Sequence, residues 1–128
     1  MASPTYAKSV VRKWYKEFPN SDLFKALPPG YQKNAKWTVE LFAELMAGYM
    51  DATPSNWDGE DVYEVVVQII PRKSIFDKET FEGFCPILRA FFEYLGCEII
   101  EKSWSEELIS SLKDKDQELL KNAKLVLD

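Results

Sequence analysis

The chain has 128 residues, 46% of them apolar and 14% aromatic, with a formal net charge of −5 and no histidine. That length suits one domain with a real core, and the aromatic content argues against a disordered chain. The missing histidine excludes Ser-His-Asp and Cys-His catalysis and any His-containing zinc site within this chain.

The charge is uneven. Residues 1–36 hold seven Lys/Arg and two acids, whereas the rest hold nine and nineteen. An acidic body repels nucleic-acid phosphates, so the basic N-terminal part is a separate question. No apolar run follows Met-Ala-Ser-Pro-Thr-Tyr, and the densest one, Val65 to Ile70, is too short for a bilayer. The expectation is a soluble, cytoplasmic chain with no membrane partner.

The predicted elements are helical throughout. A first helix from Pro4 to Phe18 puts Ala7, Val10, Val11, Trp14 and Phe18 on one arc, with Ser3 as its cap. Ser21 to Leu27 fits a short turn, and Pro28-Pro29-Gly30 reads as a loop. A second helix from Asn34 to Met50 is apolar over most of its circumference, with Glu40 and Glu44 as its polar strip. That pattern predicts a surrounded, central helix.

A third helix runs from Trp57 to Ile70, capped by Ser55 or Asn56 and ended by Pro71. A fourth starts at Asp77 and stops at Leu95 before Gly96, with a kink or break expected at Pro86. Ser103 with Glu106 forms a capping-box signature. From there Leu108, Ile109, Leu112, Leu119, Leu120, Ala123, Val126 and Leu127 make one long stripe. One continuous helix there would outreach a small core, unless it breaks near Asp116. The predicted fold is an all-α bundle of six or seven helices with a long C-terminal helix.

The run Trp37, Phe42, Tyr49-Met50, then Pro54-Ser55-Asn56-Trp57, then Ile70-Pro71-Arg72-Lys73, then Phe91-Phe92-Glu93-Tyr94-Leu95 resembles a pattern in small uncharacterised prokaryotic proteins. The resemblance covers about half of the chain. It implies a helical fold and no assigned activity.

Four features are candidates for function. Lys8, Arg12 and Lys16 recur every four residues, with Lys13 nearby, and such a stripe grips phosphate or an acidic surface unless it is merely solvated. Arg72 and Lys73 form a basic loop that binds an anion or caps the preceding helix. Asp58, Glu60, Asp61 and Glu64 are placed for Mg²⁺ or Ca²⁺, but first-turn complementation of the helix dipole explains them better. Trp37, Trp57 and Trp104 read as core or staple residues, with Trp57 and Trp104 as alternative exposed anchors. Cys85 and Cys97 lie in apolar segments and read as buried free thiols.

No motif calls for a cofactor or a metal. The leading function class is a non-enzymatic protein-interaction or regulatory module with an acidic body. Nucleic-acid or phosphate binding through the basic helix is the alternative. A carboxylate- or metal-dependent enzyme comes last.

Overall fold

The structure is a computed structural model that describes residues 1–125. Among these residues it has seven helices and no strand: α1 Pro4–Tyr15, α2 Asp22–Lys25, α3 Pro29–Met50, α4 (residues 59–73), α5 Lys78–Glu98, α6 Lys102–Ser111 and α7 Asp116–Asn122. No helix among them is long and apolar enough to cross a membrane. Helix α1 packs along α3, α3 against α5, and α5 against α6.

Ser3 caps α1 as its sequence position foretells, accepting from the Tyr6 N–H at 3.1 Å. The helix ends at Tyr15, and Phe18–Asn20 forms a separate 3₁₀ turn that drops Phe18 into the core. Helix α3 begins earlier than expected, because Pro29 sits at its first position, where its fixed φ and missing N–H cost nothing. Gln32 braces that entry by donating to the carbonyl of Leu27 at 2.8 Å.

Helix α4 holds the largest departure from the sequence reading. Asp58 caps it rather than Ser55 or Asn56, accepting from the Asp61 N–H at 2.8 Å. Its middle, Glu64–Ile69, is a π-helix, and the chain continues through Pro71 to Lys73. Pro71 has no N–H to give the carbonyl of Val67, its partner in an α-helical register. Asn122 of α7 supplies a donor to that oxygen at 2.7 Å. Widening the coil and importing a side-chain donor let the helix pass its proline.

Helix α5 also runs on, through Pro86 and past Gly96 to Glu98. Gly96 is not a stop signal. A Cβ there would lie 2.4 Å from the Ser105 hydroxyl oxygen of α6, so glycine permits the close crossing. Ser105, buried in that crossing, donates to the carbonyl of Phe92 at 2.7 Å. The capping box is absent: Glu101 occupies the cap position of α6 without a side-chain bond.

The expected long C-terminal helix is two helices. The chain breaks after Ser111, with Asp114 in the left-handed region at φ 58°. Arg89 closes the break. It donates to the Leu112 carbonyl at 2.9 Å and grips both carboxylate oxygens of Asp116, at 2.9 and 3.2 Å. The stripe therefore folds back: Leu108, Leu112, Leu119 and Leu120 are all buried. Val126 and Leu127 lie outside the described residues.

The core is largely aromatic. Phe42, Trp57 and Phe92 meet edge-on with centroids 4.9 to 6.1 Å apart. Phe18 gathers Tyr15, Phe24, Phe91 and Tyr94 at 5.3 to 5.4 Å. Each such ring stabilises the fold by about 1.5–3 kcal/mol through burial alone. The Trp57 indole N–H has no hydrogen-bond acceptor among the described residues, and the ring stands at 90° to Trp14.

Candidate functional site: the outer face of α3 and the cleft beside it

Helix α3 is only half surrounded. Its buried arc is Ala35, Thr38, Val39, Phe42, Ala43, Met46 and Ala47. The opposite arc is apolar as well: Trp37, Leu41, Leu45 and Tyr49 recur every four residues and so share one stripe. Trp37 is 44% exposed and Tyr49 51%, while Leu41 and Leu45 are half-buried. The stripe is about 18 Å long. Next to it, Phe76 packs on Trp37 at 5.2 Å and leaves its neighbour Ile75 fully exposed. Gly48 lies on the same arc, and a Cβ there would meet nothing within 4 Å. The expectation of a wholly surrounded helix fails here, as does the placing of Trp37 in the core.

One edge of this face is closed by ion pairs to α1. Lys8 Nζ reaches Glu44 at 2.5 Å, and Arg12 reaches Glu40 at 3.0 Å. Two of the three predicted basic-stripe residues are thus neutralised by α3. Lys16 is not: it is exposed and shares with Arg12, Lys13, Tyr15, Pro19 and Lys36 a cleft of about 570 Å³. Sequence spacing found Lys13 and Lys16 but missed Lys36, which belongs to another helix. The Tyr15 phenol is pushed up to about 12, first by burial and then by the charge of Glu40.

The remaining candidates have structural duties. Arg72 is held by Gln68 and Asn122 across the α4–α7 contact, and Lys73 sits exposed in the last turn of α4, where the dipole favours a cation. Trp57 is 2% exposed, so it is a core residue and not an anchor. Trp104 is half-buried and donates from its indole nitrogen to the Trp57 carbonyl at 2.7 Å, which ties α6 to the loop before α4. Tyr63, Gln68 and Glu118 form a further polar bridge between α4 and α7, which pushes the Tyr63 phenol upward, mainly through its bond to Glu118.

The acidic cluster is spent on helix α4. Asp58 is the cap, Glu60 and Asp61 occupy the first turn, and Glu107 accepts from the Gly59 N–H at 2.8 Å. Burial and then the charges of Asp58 and Glu60 raise the Asp61 carboxyl. Among the described residues no three Cys, Asp or Glu side chains are grouped to hold a metal ion.

The two thiols differ. Cys85 is buried, and its thiol is pushed up to about 12 by burial, then by Asp116, with Arg89 opposing. Cys97 is exposed, contrary to the sequence reading, and lines a cavity of about 550 Å³ with Leu23, Glu93, Lys102 and Ile109.

No protein-family model, curated protein or solved structure matches this chain. The functional reading therefore rests on geometry and chemistry alone.

Proposed function

We propose that this protein is a non-enzymatic interaction module whose contact face is the outer arc of α3. The observation that carries it is the Trp37, Leu41, Leu45 and Tyr49 stripe, apolar where a surface helix is ordinarily polar. An apolar patch that spends no stability on being buried marks a binding surface. Trp and Tyr at its two ends are the residue types that dominate contact energies. The C-terminal stripe offers no such face among the described residues, because Leu108, Leu112, Leu119 and Leu120 are buried.

The partner is another protein that presents an apolar helical face and carries net positive charge. Two copies of a chain at −5 repel each other, whereas a basic partner is drawn to it. A straight three-turn stripe matches a helix laid alongside it.

Gly48→Arg tests this directly, because the site has open space for the new side chain. Wild-type protein should co-purify a partner in stoichiometric amount from its native cells. The variant should lose that partner while melting no lower than wild type. Equal capture by both proteins, or wild-type self-association in place of a partner, would refute the assignment.

A further inference from the structure

We propose that the cleft between the C-terminal half of α1 and the N-terminal half of α3 binds a small phosphate-bearing molecule. The register of the two helices supplies the argument. They run antiparallel, and each step of four along α1 is matched by four back along α3: Lys8 meets Glu44, and Arg12 meets Glu40. The next rung of this ladder pairs residue 16 with residue 36. There the pattern reverses sign, and Lys16 and Lys36 line the same cleft.

A like-charged rung at the end of a complementary ladder works against the helix pair. A glutamate at 36 would have continued the ladder. Instead Lys36, Lys16 and Lys13 line one cleft, and among the described residues no carboxylate lies within ion-pair distance of any of them. Arg12 lines the same cleft; its bond to Glu40 uses one of five guanidinium donors. Three unpaired cations and one shared guanidinium around a concave site suit a multiply charged phosphate better than a single carboxylate.

The rest of the lining fits as well. Tyr15 and Pro19 give the cleft an apolar wall, and the Tyr15 hydroxyl keeps its proton across the neutral and mildly alkaline range. About 570 Å³ admits a nucleotide-sized or sugar-phosphate-sized molecule. Lys36 lies about 100° around α3 from Trp37, so the cleft and the apolar face are separate surfaces that stand or fall separately.

Amide shifts of the isotope-labelled full chain, titrated with sodium pyrophosphate at constant ionic strength, provide the test. Saturable shifts should be confined to residues 12–20 and 33–40. Lys36→Glu completes the ladder, so it should melt no lower than wild type. It should also weaken pyrophosphate by at least about tenfold. Lys36→Gln should fall between the two. Unsaturable shifts that sulfate or chloride reproduces at equal ionic strength would overturn the proposal. So would undiminished binding by Lys36→Glu. A short DNA duplex that binds the same residues more tightly than pyrophosphate would also overturn it, in favour of a nucleic-acid surface.

Discussion

Replacing Gly48 with alanine probes whether the outer arc of α3 is open. Glycine inside a helix costs about 0.5–1 kcal/mol relative to alanine, through backbone entropy. Gly48 stands two residues before the end of α3 at Met50, where fraying trims that gain, so about 0.5 kcal/mol is expected. The added Cβ has no atom within 4 Å to strike, so no steric term offsets the gain. For a chain of this size that amounts to a rise of roughly 2 °C in the melting temperature. Urea denaturation at fixed pH, fitted with a common slope, gives the free-energy change directly. A loss of stability in the alanine variant would mean that this arc is packed against something. The outer arc of α3 would then not be a free contact face.

Other outcomes follow from named contacts. Arg89→Met removes the donors that close the break between α6 and α7 and should cost about 2 kcal/mol, read by urea denaturation. A change near zero would mean that the fold-back holds without Arg89. Cys97 should react with a thiol reagent at pH 8 in the native protein while Cys85 stays protected until unfolding, so mass spectrometry should find one label rather than two. Stability should also depend on alkaline pH. The Cys85 thiol is raised from 9.0 and the Tyr15 phenol from 10.0, each to about 12, so the unfolded chain loses these protons first. Their contribution is complete below pH 9 and drains away as pH climbs toward 12. Cys85→Ala should flatten the earlier part of that decline, measured as the urea midpoint against pH.

Helix type was legible wherever apolar residues recur at helical spacing. On α1, Ala7 and Val11 are buried as the arc predicts and Phe18 just beyond it, whereas Val10 and Trp14 are only half-buried and Tyr15 is buried from outside that arc; Ser3 caps as read. Local signals misled where a distant contact overrides them. Pro71 reads as a stop, but Asn122 reaches across from α7 to the carbonyl that the proline cannot serve. Gly96 reads as a helix end, but it makes room for Ser105. The run of polar residues after Leu112 hinted at a break, whereas its closure by Arg89 depends on a residue more than twenty positions away.

The two candidate surfaces show the same limit. The apolar stripe of α3 was visible, but apolarity alone cannot tell a covered arc from an open one. Only the packing of α1, α4 and α5 separates Phe42 and Met46 from Trp37 and Leu41. The basic stripe of α1 was visible too, but its fate was decided by Glu40, Glu44 and Lys36 on another helix. Antiparallel register is a property of the packed pair and leaves no mark in either segment by itself.

Photo-crosslinking from residue 48 in living cells bears most directly on the contact face. A benzophenone side chain placed there should yield one discrete adduct, which disappears when Tyr49 is changed to Glu. The same probe at Glu107, an exposed position on α6, should yield none. Adducts of equal yield from both positions, or none from residue 48, would contradict the account.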